Sequence, residues 1–134
     1  MRASSRVRQV FIFLLILDFS LGIACRKSFP RSRFVALYEA EHENGTETVE
    51  LFSDGTYLQQ FKAKDGIEST SSGTWELSID HQTQAILVHS FTLHFPGHPT
   101  TPTDRTLEVY EDYGLMRLYV SRQPRQFYLE LPRK

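Results

Sequence analysis

Three neighbouring histidines are the first residues of this chain whose type and spacing suggest chemistry. His89, His94 and His98 lie within ten residues, and imidazole is a common zinc ligand. On a strand, His89 and His94 would point to opposite faces because an odd number of residues separates them. His94 and His98 flank Pro96-Gly97, so a turn could bring those two rings together. Zinc would need a third or fourth ligand, and we therefore predict surface histidines and no metal site.

Carboxylate and hydroxyl side chains give no stronger indication of catalysis. Glu39, Glu41 and Glu43 share one parity, which predicts a solvated outer face or rim on a strand. Another acidic cluster, near a turn, is expected to be solvated as well; it comprises Glu108, Glu111 and Asp112. The sequence contains neither a nucleophile-elbow serine nor a glycine-rich phosphate loop. We therefore predict a protein that is not an enzyme and that needs no cofactor.

The single cysteine, Cys25, lies at the end of a segment typical of exported proteins. Three arginines among the first eight residues precede an apolar run over 10–17, and the small residues Gly22 and Ala24 come just before Cys25. This order is typical of a secretory signal peptide. A membrane-spanning helix is disfavoured because the apolar stretch is too short and contains Asp18. We predict a signal peptide over residues 1–24.

The cleavage region also resembles the lipobox of bacterial lipoproteins, in the order Leu21-Gly22-Ile23-Ala24-Cys25. The resemblance implies a lipid on Cys25 and hence a protein anchored to a membrane of the cell envelope. The alternative is that Cys25 merely follows an ordinary signal-peptidase site, which would leave a secreted or periplasmic soluble protein. Residues 25–33 are expected to form a tether, in which four basic residues could contact anionic headgroups or simply be solvated.

Charge and length exclude some classes of function. The chain has 134 residues and a formal net charge of −1. Three arginines and Asp18 lie in residues 1–24, so the remainder carries about −3. Nucleic-acid binding requires a basic footprint, and we therefore predict no nucleic-acid partner. Residues 34–134 have the length of one domain.

The sequence from Phe34 onward alternates between apolar and polar residues, and turn residues divide it into short segments. Four turn signals in the first half are Asn44-Gly45, Asp54-Gly55, Asp65-Gly66 and the run 81–84. Eight strands are predicted, at Phe34–Glu41, Glu47–Phe52, Thr56–Lys62, Gly73–Asp80, Ala85–Phe95, Thr106–Tyr110, Leu115–Val120 and Gln126–Leu131.

Two of these segments give the most specific local predictions. Asn44-Gly45 is a strong hairpin signal because a tight turn of that type needs positive φ at both residues. In the fourth strand, Trp75, Leu77 and Ile79 alternate with polar residues, which predicts one buried face. The longest predicted loop follows the fifth strand and contains several prolines, ending near Asp104.

Eight short strands at hairpin spacing predict an all-β, antiparallel up-and-down meander. Open sheet edges promote aggregation, and closure into a barrel removes them. We therefore predict a small closed barrel and not a sandwich. An eight-stranded barrel is just wide enough to be filled by side chains or to hold one small ligand.

Several short motifs in the first half of the domain resemble those of small bacterial lipocalin-like exported proteins. The motifs are Asp54-Gly55-Thr56-Tyr57, Phe61 and Gly73-Thr74-Trp75, and the resemblance covers residues 34–93. It implies a lipocalin-like barrel in which the Asp-Gly turn joins two meander strands. True lipocalins carry Gly-x-Trp on the first strand, whereas here it lies on the fourth.

The aromatic residues lead to the functional hypotheses. Five of them are expected inside the barrel, either as core or as the lining of a cavity: Tyr57, Phe61, Trp75, Phe91 and Phe127. The first hypothesis is an exported, lipid-anchored, non-catalytic barrel that binds a small hydrophobic ligand or an envelope protein. The alternative is a structural or interaction module with a filled core, which could pair with a partner through an edge strand. An interior cavity of about 300 Å³ or more would favour ligand binding.

Overall fold

The computed structural model describes residues 27–80 and 83–133, which form a closed antiparallel barrel of eight strands. Each strand pairs with the next along the chain, and the last pairs with the first. The strands are β1 (Leu37–His42), β2 (Gly45–Leu51), β3 (Thr56–Ala63), β4 (Glu68–Asp80), β5 (Thr83–Phe91), β6 (Thr103–Asp112), β7 (Leu115–Ser121) and β8 (Gln126–Glu130). The predicted all-β, up-and-down barrel is confirmed, although the strand bounds differ in places.

The alternation of the sequence becomes the alternation between the inside and the outside of the wall. In β1 the buried residues are Tyr38, Ala40 and His42, and the residues between them are more exposed. Burial of a large apolar side chain contributes about 1.5–3 kcal/mol. The largest fully buried apolar side chains come from every strand except β4 and from residues just outside the strands: Phe34, Tyr38, Leu51, Tyr57, Ile86, Phe91, Leu93, Leu107, Met116, Leu118 and Tyr128.

We call the barrel end at which β1 begins the lower end and the opposite one the upper end. A 3-10 helix, Arg31–Phe34, covers the lower end and inserts the fully buried Phe34. The ring of Phe29 packs edge-on against Phe34, with centroids 6.2 Å apart. Tyr38 donates a hydrogen bond from its hydroxyl to the Phe34 carbonyl over 3.0 Å. The first strand therefore begins at Leu37 and not at Phe34, because Phe34 belongs to this cover.

Residues 27–33 pack against the barrel instead of extending from it as a tether. The Phe29 amide donates to the Gln84 side-chain oxygen over 2.6 Å, and the Gln84 amide donates back to the Phe29 carbonyl over 2.8 Å. Lys27 pairs with Glu111 at 2.5 Å. The predicted signal peptide and Cys25 lie outside the described residues, and no helix in the described ranges is long and apolar enough to cross a membrane.

The loop after β5 covers the upper end. Strand β5 ends at Phe91 and not at Phe95, because the β5–β6 register shifts between Val88 and Phe91 and Ser90 adopts a φ of 56°. The chain then turns across the opening and buries Leu93 and Phe95 beneath it. Both ends of the barrel are thus covered by short segments that each insert aromatic side chains.

The first hairpin differs from its prediction in the role of its glycine. His42 pairs with Gly45, so the two turn residues are Glu43 and Asn44, and neither of them nor Gly45 has positive φ. Gly45 is instead the first residue of β2. A Cβ atom there would collide with the backbone of β3 at the Lys62 carbonyl. The glycine is therefore required by close strand packing and not by turn conformation.

The prediction that one face of the fourth strand is buried is correct for only part of the strand. Trp75 is 2% exposed and Leu77 is half-buried, but Ile79 is 69% exposed. Ile79 pairs with Gln84 near the start of β5, at the lower rim. Ile79 alternates in step with the buried Trp75, but at the rim of the barrel this does not bury its side chain.

Candidate functional site

Three of the five aromatic residues that we predicted inside are buried in the core. Tyr57, Trp75 and Phe91 are at most 2% exposed. The Tyr57 and Phe91 rings are 5.4 Å apart, and Phe91 contacts Tyr128 with centroids 6.0 Å apart. Phe61 is half-buried nearer the upper end. The rings of Tyr57, Phe91 and Tyr128 thus pack in a row, as expected when an eight-stranded barrel is filled by its own side chains.

The prediction that Phe127 lies inside is wrong. Gln126 and Tyr128, the residues on either side of it on β8, are buried. Because alternate residues of a strand point to opposite faces, Phe127 points outward. Its ring lies on the outer wall between the guanidinium groups of Arg117 and Arg125, at 5.0 and 5.4 Å from the ring centroid. Phe127 and Tyr128 are adjacent aromatic residues on this strand, and the polar Gln126 concealed which of them shares its parity with the core-facing residues.

A buried polar cluster occupies the upper part of the interior. Its centre is Glu47, which is 0% exposed. Tyr128 donates its hydroxyl to Glu47 Oε1 over 3.0 Å, and the Gln59 side-chain amide donates to the same oxygen. His42 Nε2 lies 2.7 Å from the other carboxylate oxygen. We call these four residues the Glu47 cluster.

Gln59 also links the Glu47 cluster to the residues around it. Gln59 accepts from the Ser71 hydroxyl over 2.7 Å and donates to the Thr92 carbonyl, which ties β3 to the loop over the upper end. Among the described residues, His42 Nδ1 has no partner. Nε2 therefore makes the one hydrogen bond of this ring among the described residues. The cluster is therefore an almost fully satisfied buried network.

The hydroxyl groups of this interior stay protonated. Burial, together with the nearby Glu47 carboxylate, raises the pKa of Tyr128 well above its ordinary value. Burial also raises the pKa of Tyr57 to about 12, and its hydroxyl donates to the carbonyls of His89 and Ser90. Tyr128 thus serves as a permanent donor to the carboxylate.

A carboxylate beside an imidazole could in principle transfer protons, but the Glu47 cluster is shielded from solvent. Phe95 packs edge-on against His42 with centroids 4.4 Å apart, and against Tyr128 at 5.3 Å. His94 stacks on Phe61 at 4.2 Å with nearly parallel planes. The side chains of His42 and Glu47 are 0% exposed, so these rings and the barrel wall separate the carboxylate from solvent in the described structure.

Sequence reasoning missed this cluster, although one indication of it was present. Glu47 has the same parity as Val49 and Leu51, and Gln59 has the same parity as Tyr57 and Phe61. When two adjacent strands each carry a polar residue at a position that otherwise faces the core, the two residues can form a buried network if the register brings them close. Here Glu47 pairs with Phe61 and Val49 pairs with Gln59.

The three neighbouring histidines of the sequence analysis do not converge. His89 Nδ1 lies 3.1 Å from Asp104, His94 stacks on Phe61, and His98 Nε2 bonds the Gln126 side chain over 2.8 Å. Burial lowers the pKa of His94, with a further lowering by His42 and an opposing effect of Glu47. Within residues 27–80 and 83–133, no group of three or more His, Cys, Asp or Glu side chains is arranged to hold a metal ion.

A second buried carboxylate, Glu130, lies at the lower end. Its side chain is 5% exposed, and both of its carboxylate oxygens accept hydrogen bonds from Arg33 Nη1, over 2.7 and 2.8 Å. The Met116 amide donates to Glu130 over 2.7 Å, and Arg33 also donates to the Gly114 carbonyl over 2.8 Å. This ion pair holds the 3-10 helix to β7 and β8.

The wall has a weak seam between β1 and β8. Only two ladder pairs join these strands in the described structure, Tyr38↔Glu130 and Glu39↔Leu129, and the Leu131 amide adds a bond to the Leu37 carbonyl. Every other neighbouring pair of strands has at least four ladder pairs. Above Glu39 the two strands are bridged by the side chain of Phe95 and not by a ladder.

The outer wall at this seam forms a groove of about 410 Å³, which we call the seam groove. The first side of the groove carries Glu39 and Glu41, which point outward as predicted. Its other side is apolar, with Phe127, Leu129 and Leu131, and Arg125 lies at its upper end. A larger cleft of about 490 Å³ opens at the lower end beside Lys27, Phe29, Val109 and Tyr110. Both are open to solvent and lie outside the packed interior.

The chain matches no protein-family model, no curated protein and no solved structure.

Proposed function

We propose that this protein is an exported, lipid-anchored and non-catalytic interaction module of the cell envelope, and not a carrier that stores a ligand inside its barrel. The observation that carries the proposal is the packed interior. Tyr38, Tyr57, Phe91 and Tyr128 are at most 1% exposed and fill the space that a ligand would need. The lipocalin-like resemblance then concerns the barrel and not a ligand cavity.

The seam groove is the surface that best suits a partner. Strand addition needs an edge with free backbone groups and adjacent pockets for side chains, and residues 40–42 of β1 have no ladder partner on β8 in the described structure. Glu39 and Glu41 line one side of the groove and Phe127 and Leu129 the other. The occupant that fits is an extended segment with basic and apolar residues alternating.

The predicted anchor gives this surface an orientation. Lys27 lies at the lower end, paired with Glu111. Cys25 precedes Lys27 by two residues, which span at most about 7 Å. A lipid on Cys25 would therefore hold the lower end against the membrane and leave the upper end, with the open part of the seam, directed away from it.

Photo-crosslinking in the native membrane tests the partner surface. A photoreactive phenylalanine replaces Glu41 in the seam groove, and a matched control replaces the exposed Thr74 on β4. We expect a discrete cross-linked species from position 41 and none from position 74. Equal cross-linking at both positions, or none at position 41, would contradict the proposal.

Fractionation tests the anchor separately. We expect Cys25→Ser to move the protein from the membrane fraction to the soluble fraction, because the lipid can no longer be attached. Retention of this variant in the membrane fraction would mean that the anchor is not a lipid on Cys25.

The second candidate function is binding of a small amphipathic ligand in the cleft at the lower end, which we call the lower cleft. Its volume of about 490 Å³ lies within the usual range of ligand sites, and it combines Phe29 and Val109 with the basic Lys27 and Arg122. Addition of a medium-chain fatty acid would then shift the amide resonances of Phe29 and Val109 saturably. Unchanged resonances would exclude this candidate.

A further inference from the structure

A second cleft, of about 250 Å³, lies on the outer wall and is lined by two tyrosines and two arginines. Tyr110 on β6 and Tyr119 on β7 point outward with ring centroids 5.5 Å apart. Arg122 and Arg125 come from the turn between β7 and β8. We call this the arginine–tyrosine cleft. The Glu47 cluster is on the other side of the wall, so this cleft has no part in the packing of the interior.

The side chains hold one another in place before any ligand arrives. The Arg122 guanidinium lies over the Tyr110 ring at 4.7 Å and donates to the Tyr110 hydroxyl over 2.5 Å. Arg125 donates from Nε and Nη2 to the Tyr119 hydroxyl, over 3.3 and 3.1 Å. Each arginine is therefore positioned by a tyrosine, which reduces the entropy lost when a ligand binds.

The polar groups of the cleft are mainly donors with unused capacity. A guanidinium has five N–H donors and no acceptor, and a phenol that accepts a hydrogen bond still has its own proton to donate. In the described structure the hydroxyl protons of Tyr110 and Tyr119 have no acceptor, and Arg125 uses only two of its donors. A ligand that fits this cleft must supply several acceptors.

The charge of the surrounding wall is only partly neutralised. Arg117 pairs with Asp112 at 2.8 Å and Arg122 with Glu108 at 2.7 Å. Arg125 has no carboxylate partner among the described residues, so the group of three arginines keeps an excess positive charge. Burial alone would raise the pKa of Tyr119, but Arg125 and Arg117 outweigh it and lower that pKa. The electrostatic environment at the Tyr119 hydroxyl is thus favourable to an anion.

From this geometry we propose that the arginine–tyrosine cleft binds a phosphate group, a function beyond the proposed partner surface. Arg125 and the free N–H groups of Arg122 bind the phosphate oxygens, and the hydroxyls of Tyr110 and Tyr119 donate to the same group. Guanidinium groups match the oxygens of phosphate in pairs. The phosphate could belong to a soluble ester or to a lipid headgroup of a second membrane that faces the upper end, since both present the same oxygens.

Nuclear magnetic resonance of the full Cys25→Ser chain tests the site with inorganic phosphate and with phenyl phosphate as probes. We expect saturable shifts of the Tyr119, Arg122 and Arg125 amides, with a dissociation constant on the order of 1 mM. Arg125→Gln should weaken binding about tenfold, because a charge-assisted bond is lost. Tyr119→Phe should weaken it about threefold, because one neutral donor is lost.

A matched control separates a site from general attraction between charges. Arg31 also lies over an aromatic ring, that of Trp75, at 4.3 Å, but no tyrosine hydroxyl positions it. Arg31→Gln removes the same charge and should leave phosphate binding unchanged. Equal weakening by Arg31→Gln and Arg125→Gln, or shifts that do not saturate, would overturn the proposal.

Vesicle flotation of the same Cys25→Ser chain distinguishes the two sources of phosphate. One outcome is that the chain binds phosphatidylglycerol vesicles but not phosphatidylcholine vesicles, and that Arg125→Gln abolishes this binding. That outcome would support the site and assign it to a lipid headgroup. Binding of phenyl phosphate without vesicle binding would support the site and assign it to a soluble ester. Binding of neither probe would overturn the proposal.

Discussion

The two ends of the barrel each bury one glutamate, but they stabilise it with different chemistry. At the lower end, Glu130 pairs with Arg33 at 2.7 Å and accepts from the Met116 amide. At the upper end, Glu47 accepts from Tyr128 and contacts His42 Nε2 at 2.7 Å. The lower partner is charged at every accessible pH, whereas the upper partners are neutral donors or a titratable ring.

The closure of the wall follows the same division. Near the lower end the β1–β8 seam is a backbone ladder. Near the upper end it is closed by the ring of Phe95, which contacts His42 and Tyr128, and by the bond from the Gln126 side chain to the Pro96 carbonyl at 3.1 Å. The difference implies a barrel that is rigid at its lower end and more easily opened at its upper end.

The largest expected effect comes from breaking the ion pair of the lower end. Arg33→Ala leaves the Glu130 carboxylate buried without its cation, and removing one member of a buried pair costs about 3 kcal/mol. Urea unfolding followed by circular dichroism measures the loss. Arg133→Ala is the control, because Arg133 is exposed and bonds only the Val35 carbonyl among the described residues. Equal losses for the two variants would contradict this role of Arg33.

A pair of tyrosine variants compares the two ends directly. Tyr128→Phe removes a donor to a buried carboxylate and should lower the free energy of unfolding by about 2 kcal/mol. Tyr38→Phe removes a donor to the Phe34 carbonyl at the lower end and should cost about 1 kcal/mol. If Tyr38→Phe proves the more destabilising in the same urea experiment, the Glu47 cluster is not the main polar support of the interior.

The smallest expected effect is a pH dependence of the upper end. Burial holds the pKa of His94 below its ordinary value of 6.5, so the unfolded chain binds the proton more readily than the folded one. The free energy of unfolding should therefore decrease as the pH falls below 6.5. Urea midpoints at neutral and at mildly acidic pH measure the decrease.

His94→Phe sharpens the pH prediction, because it keeps a ring stacked on Phe61 but removes the titration. The variant should lose less stability than the natural protein over the same change of pH. An identical pH dependence in the two proteins would show that His94 is not responsible.

The strands were predictable because turns and alternation are local properties of the sequence. All eight predicted strands overlap the observed ones. The errors arose where distant residues decide the outcome. Phe34 leaves the first strand because it covers the lower end, and Lys27 and Glu111 meet although 84 residues separate them. Phe127 was misplaced because adjacent aromatic residues do not reveal which parity faces the core.

The candidate sites were less predictable than the fold. The Glu47 cluster depends on the register that aligns Val49 with Gln59, which composition does not reveal. The arginine–tyrosine cleft joins two outward-facing strand residues to a turn, and none of these positions forms a sequence motif. The sequence did indicate the outward face of Glu39 and Glu41, because parity alone decides that feature.

The central claim, a barrel filled by its own side chains, can be tested through Trp75. It is the only tryptophan in the chain, is 2% exposed, and donates from its indole to the Phe52 carbonyl over 2.9 Å. Titration with a brominated long-chain fatty acid, whose bromine atoms quench an indole only at near-contact, reports through Trp75 emission whether a ligand enters the interior. A filled barrel predicts no saturable quenching of Trp75, even if the fatty acid binds in the lower cleft; saturable quenching at one ligand per chain would contradict the claim.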